Sequence, residues 1–215
     1  MADLNAIVTS IPSREPADGP LRGVWLTIKD TFDTAGVRTT RGSRLFADHV
    51  PERNAEAVRR LVEAGAVPVG KTNTPEFALW WETANLVFGR THNPYGPDRT
   101  AGGSSGGDAV AVATGLSDIG LASDLGGSIR LPAHYCGVVG SKPTHWLISL
   151  EGHWPETLVD YWRVGTLTRT VVDSAWAFRM LARLPGPANP WPRRIVGRRR
   201  DDATLLAVAR RLEPS

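Results

Sequence analysis

The sequence predicts an α/β layer fold with one core. Two observations carry this expectation. Short apolar, β-prone runs alternate with segments of helical periodicity over most of the chain. The 215 residues are 41% hydrophobic, enough to bury a core of moderate size. No internal repeat is present.

The elements follow in order. Residues 1–20 read as a loose arm. Residues 24–28 are apolar and form a strand that ends at Lys29 and Asp30. Residues 31–44 are polar and rich in Gly and Thr. Asn54 is placed to cap a helix over residues 55–64, where Ala55, Val58, Leu61 and Val62 share one face and Gly65 ends it. Residues 66–69 make a short strand. Thr74 and Pro75 open a short helix running to about residue 81. Residues 89–107 are rich in Gly, Pro, Asn and Ser, which reads as loop. Residues 108–114 then make a buried helix and residues 119–123 a buried strand. A short helix near residues 129–135 and a strand over 138–142 follow. Thr170 and Asp173 form a capping box for a helix over 171–184. Beyond it, Pro185, Pro187, Pro190 and Pro192 break any element. Residues 185–215 are therefore an appended Pro/Arg-rich tail, with one terminal helix expected over 201–212.

Composition narrows the function. The formal charge is only +3, and arginine dominates it, because Lys29, Lys71 and Lys142 are the only lysines. The basic run of Arg193, Arg194, Arg198, Arg199 and Arg200 reads as solvated surface. It lacks interleaved aromatics for base stacking, so no nucleic-acid partner is expected. No apolar stretch approaches the ~18 residues of a membrane span. No secretory signal is legible in residues 1–20. The single cysteine, Cys136, excludes an intramolecular disulfide framework. A cytoplasmic location is expected.

The chemistry concentrates in two glycine-rich loops. The first is Gly102-Gly103-Ser104-Ser105-Gly106-Gly107, and the second is Ser123-Asp124-Leu125-Gly126-Gly127-Ser128-Ile129-Arg130. Glycine pairs let the backbone reach positive φ and let N–H groups converge on one point. A serine at a helix start beside free N–H donors suits stabilisation of a tetrahedral oxyanion. Taken singly, such loops are more often structural, or cradle phosphate.

In combination they resemble the amidase-signature family. The segments Leu26-Thr27-Ile28-Lys29-Asp30, Gly70-Lys71-Thr72-Asn73-Thr74-Pro75-Glu76-Phe77 and Gly140-Ser141-Lys142-Pro143-Thr144 join the two loops in the family's order. Lys29 precedes Ser104 by 75 residues, and Ser104 precedes Ser128 by 24. The likeness covers residues 21–184, as a partial catalytic domain. It implies a mixed β-sheet flanked by helices on both faces, without cofactor or metal. It also implies a Ser–Ser–Lys triad: Ser128 as nucleophile, Ser104 as bridge on a cis peptide, and Lys29 as base. A free lysine titrates near ~10.4, so a base at Lys29 must be held neutral by burial. The N–H groups of Leu125, Gly126, Gly127 and Ser128 are implied to form the oxyanion hole. Ser105, Asp124 and Arg130 are expected in support, the last two as a structural ion pair. The expected activity is hydrolysis of a small carboxamide or related acyl compound through an acyl-enzyme.

Several patterns compete. Gly65-Ala66-Val67-Pro68-Val69-Gly70-Lys71-Thr72 matches a phosphate-binding loop, but its middle is apolar and strand-like. Residues 102–106 match a nucleophile elbow, but no strand precedes them. His134 and Cys136 lie close without any metal-ligand spacing. Trp25 and the His145-Trp146 pair depart from the family pattern. Gly152-His153-Trp154-Pro155 resembles a stretch of some stand-alone small-amide hydrolases, and so points away from a tRNA amidotransferase subunit. Full family members are roughly twice this long, so the chain reads as shortened. An incomplete sheet should expose an edge and apolar surface, and self-association follows. A shortened relative without turnover is the second reading.

Overall fold

The computed structural model describes residues 4–182 and the backbone of Ile195 and Val196. One sheet organises the chain. Its strands are β1 (Ile7–Ser10), β2 (Trp25–Lys29), β3 (Val67–Thr72), β6 (Ile119–Asp124), β7 (Val139–Ser141), β8 (Arg163–Thr168) and β9 (Ile195–Val196). A separate two-stranded ribbon holds β4 (Ala84–Asn85) and β5 (Gly89–Arg90). The helices are α1 (Glu56–Glu63), α2 (Gly106–Ala113), α3 (Arg130–Cys136) and α4 (Val171–Leu181).

The sheet runs β1-β3-β2-β6-β8-β7-β9. β2 lies parallel to β3 and β6, and every other pairing is antiparallel. The sheet is therefore mixed, with its parallel part at the centre, where both faces are covered. Leu26 and Ile28 of β2 and Ile119 and Leu121 of β6 meet α1 and α4 in one core cluster, with Leu61, Phe178 and Leu181. Ala122 of β6 and Leu167 of β8 meet α2 and α3 in the other. Each such fully buried Leu, Ile or Phe contributes about 1.5–3 kcal/mol by leaving water.

Alternation along β2 decides what faces where. Leu26 and Ile28 point to α1 and α4, so Thr27 and Lys29 point to α2. Gly120 is registered against Thr27 and shares that face. α2 sits close because it begins with two glycines. A Cβ on Gly107 would lie 2.6 Å from the backbone of Asn73.

Several expectations need correction. Residues 7–10, read as part of a loose arm, form β1 and pair with β3. Asn54 does not cap α1; its side chain accepts the Ala35 N–H at 2.8 Å, and Ala55 is the cap residue. The strand expected over 66–69 continues to Thr72. The helix expected to residue 81 is a single 3₁₀ turn, Glu76–Ala78, with Phe77 and Ala78 both at positive φ. β8 has no counterpart among the expected elements. The Thr170 cap is present, accepting the Asp173 N–H at 3.1 Å. The remainder of the 185–215 tail, including its terminal helix, lies outside the described residues.

Candidate active site

Lys29 ends β2 with no exposed surface. Its Nζ lies 2.6 Å from Ser104 Oγ and 3.1 Å from Ser123 Oγ. A third contact, at 3.4 Å, reaches the Ser123 carbonyl. Ser104 sits in the loop before α2, on a cis peptide with Gly103. The loop is wedged in place. A Cβ on Gly103 would lie 2.7 to 2.8 Å from the backbone of Trp80, Trp81 and Glu82. Thr83 Oγ1 donates to the Gly102 carbonyl at 2.8 Å and accepts the Gly106 N–H at 3.0 Å. Replacement of Gly103 by alanine should therefore displace Ser104 and cost about 1–3 kcal/mol, read as a lower denaturation midpoint.

Ser128 follows Gly127 in the loop between β6 and α3. Its carbonyl accepts the Ser105 N–H at 3.1 Å, so the two serine loops are joined directly. The Ser105 hydroxyl donates to the Ser123 carbonyl at 3.3 Å. Ser128 is almost fully buried and borders a shallow cleft of Ala78, Leu79, Trp80, Trp81, Leu125 and Gly126. The Ser128 hydroxyl makes no hydrogen bond among the described residues. The link from Lys29 to Ser104 is thus closed, while that from Ser104 to Ser128 is open. Catalytic hydrogen bonds commonly tighten only when substrate is bound.

Asp124 holds the second loop. Its carboxylate accepts a two-pronged bond from Arg130, both arms 2.9 Å, and N–H bonds from Gly127 at 2.9 Å and Ile129 at 3.1 Å. Burial pushes this carboxyl up, but Arg130 and the two N–H donors outweigh it and leave it below the usual range. The Gly127 N–H is consequently occupied. Of the four N–H groups expected to meet an oxyanion, that of Gly127 donates to Asp124. Asp124→Ala would leave the Gly127 and Ile129 N–H groups without their acceptor and cost about 1–3 kcal/mol, measurable by urea unfolding.

Sequence reasoning missed three contributors. Ser123 reaches Lys29 through both side chain and carbonyl. Asp108 lies fully buried on α2, in an otherwise apolar stretch that was its only signal. His153 is buried between Phe32 and Trp162, ring centroids 4.9 Å from each. Burial, then Lys29 and Arg41, push it down to about 3, so it is neutral.

The phosphate-loop match fails on geometry. Lys71 lies within β3 with no exposed surface, and its Nζ donates to the Phe32 carbonyl and to the Thr34 and Thr39 hydroxyls. Asp30 lies 3.8 Å away. No donor is left for a phosphate. Cys136 is buried against the Ala101 carbonyl, and burial pushes its thiol up to about 12.

Burial pushes Lys29 down from 10.5 to about 7, opposed by Asp108 and Asp124. It pushes Lys71 down to about 8, opposed first by Asp30. Between their folded and unfolded values, the unfolded chain binds more protons. These two lysines therefore make stability rise with pH through this window, while the raised carboxyls of Asp30 and Asp108 work against them. Above pH 9 the raised Cys136 thiol works in the opposite sense. From pH 7 to 9 the urea midpoint of the wild type should gain relative to that of Lys71→Met, which lacks the Lys71 contribution.

A mixed sheet with helices on both faces thus carries a buried lysine and two directly joined serine loops. The family model described as Amidase matches residues 3–189, and the chain belongs to that family. It is 47% identical over 182 residues to a glutamyl-tRNA(Gln) amidotransferase subunit of Natronomonas pharaonis, covering 83% of this chain and 42% of that protein. The crystal structure of the same subunit from Thermotoga maritima matches with a TM-score of 0.75 at 38% identity, covering 86% of this chain and 41% of that one. The peptide amidase of Stenotrophomonas maltophilia matches with a TM-score of 0.75 at 35% identity, covering 80% of this chain and 38% of that one. The chain thus spans about two fifths of the relatives it matches. Among the described residues no helix is long and apolar enough to cross a membrane.

Proposed function

We propose that the chain carries the nucleophilic centre of an amide hydrolase acting on a small carboxamide or related acyl compound. The observation that carries this is the 2.6 Å contact between fully buried Lys29 Nζ and Ser104 Oγ, beside the loop that presents Ser128. Neutral Lys29 accepts the Ser104 hydroxyl proton, and Ser104 takes the proton of Ser128. The Ser128 oxygen then forms a bond to the acyl carbon. The carbonyl oxygen becomes an oxyanion and is met by the N–H groups of Leu125, Gly126 and Ser128. Collapse breaks the C–N bond, and the relay returns a proton to the leaving amine. Water repeats the sequence on the ester, giving the acid and restoring Ser128. No step calls for a metal ion or organic cofactor.

The Gly-His-x-Pro stretch at 152–155 points away from an amidotransferase subunit, yet such subunits are among the relatives in sequence and structure. The peptide amidase matches with equal TM-score. Residues 152–155 therefore leave the amine undecided, and the proposal names the carboxamide class alone. A second reading, a site without turnover, is favoured by one observation: among the described residues the Ser128 hydroxyl has no hydrogen bond to Ser104 or to any other group. Ammonia release from a panel of small primary amides separates the two readings. Release lost in Ser128→Ala supports the hydrolase, and a folded protein releasing none across the panel supports the site without turnover.

Self-association is part of the same proposal. Trp80, Trp146, Tyr161 and Trp81 are each more than 60% exposed. Such apolar surface favours contact with another copy. Sizing with light scattering should give a mass above 23.3 kDa. A sharply monomeric peak would contradict this expectation.

A further inference from the structure

We propose that Asp108 is the buried counter-charge of Lys29 and tunes that lysine as a base. It is a positioning residue, acting through Lys29 without touching substrate. The proposal rests on the reading of Lys29 as the base, and it concerns one carboxylate within that centre.

Asp108 lies in the first turn of α2 with no exposed surface, and neither carboxylate oxygen has a hydrogen-bond partner. Its side chain lies across Gly120. A Cβ built there would meet the Asp108 Cβ at 2.7 Å and its Oδ1 at 3.2 Å. Gly120 is registered against Thr27, on the sheet face that also carries Lys29. Thr27 and Thr72 flank the carboxylate without closing bonds of ordinary geometry. Only a glycine in β6 leaves room for this carboxylate over the strand.

A buried carboxylate without hydrogen bonds must either meet a positive charge or take up a proton. The neighbouring charges leave one pairing open. Asp124, at the end of β6, is held by Arg130 of α3 and by two N–H groups. Lys71, on β3, is held by the Phe32 carbonyl, Thr34 and Thr39, with Asp30 beside it. Arg41 is paired with Asp33. His153 is neutral. Lys29 and Asp108 remain, each the buried charge that the other lacks. Burial pushes Asp108 up to about 7, the same value to which Lys29 is pushed down. Two such groups titrate as a pair, in steps that belong to both. At neutral pH the pair holds close to one proton. Lys29 is then an amine in part of the population.

Nuclear magnetic resonance reads this without any chemistry at Ser128. The chain has three lysines, so the Lys29 side-chain nitrogen is readily assigned in lysine-labelled protein. Its shift and that of the Asp108 carboxyl carbon are followed from about pH 5 to 10. The proposal expects both nuclei to respond at shared midpoints. It also expects Asp108→Asn to move the Lys29 titration down by about one pH unit or more. The acid limb of any Ser128 reaction moves down with it. An unmoved Lys29 midpoint in folded Asp108→Asn overturns the proposal. Should that variant fail to fold, the wild-type curves decide: independent single steps for the two nuclei overturn it, and shared midpoints support it. An inert Ser128 with coupled curves refutes the hydrolase reading alone.

Discussion

Ser128→Ala lowers amide hydrolysis by about 10⁴-fold or more while leaving the fold intact. The chemical loss is large because the covalent intermediate disappears, and only binding and the N–H donors remain to act on the substrate. The fold survives because the hydroxyl removed has no hydrogen bond among the described residues, so no partner is stranded. The Ser105 N–H bond goes to the Ser128 carbonyl, which alanine keeps. The urea midpoint should shift by no more than about 1 kcal/mol of stability. Loss of activity with loss of folding would point to a structural serine instead.

Lys29→Met lowers the same activity by about 10²–10⁴-fold, the range of a lost general base. Methionine keeps much of the apolar stem in a site with no exposed surface, so packing is roughly preserved. The pH profile carries the sharper signature. On the proposed mechanism, wild-type activity should rise through about pH 7 as Lys29 gives up its proton. In Lys29→Met that limb should vanish, leaving a low rate that follows hydroxide. A retained limb near pH 7 would assign the base to another group, with Asp108 the first to test.

Much of this site is legible in the sequence, for physical reasons. Lys29 closes an apolar strand, which forces its amine toward the interior. Gly103, Gly106 and Gly107 pack where a Cβ would strike backbone or a threonine, so the composition of that loop reports close approach directly. Thr170 and Asp173 mark the start of α4 because a cap is a local interaction.

What was not legible depends on distant partners. β1 has only four residues, and its partner β3 lies some sixty residues on, so nothing local announces the pairing. β8 likewise owes its place to β6 and β7. Residues 76–81 carry helix signals, yet Phe77 turns to positive φ and packs on Trp154, ring centroids 4.7 Å apart. Arg41 lies over the Trp154 and Phe46 rings in the same cluster. Asn54 has a capping side chain but spends it on the Ala35 N–H. The occupied Gly127 N–H could be read only once Asp124 was seen beneath the loop.

The most direct measurement is adduct mapping. The folded protein is treated with a fluorophosphonate, digested, and the modified residue located by mass spectrometry. The account predicts a single adduct on Ser128, formed faster as pH rises through about 7 and strongly slowed in Lys29→Met. A folded protein that takes up no label at Ser128, or takes it up at the same rate without Lys29, would contradict it.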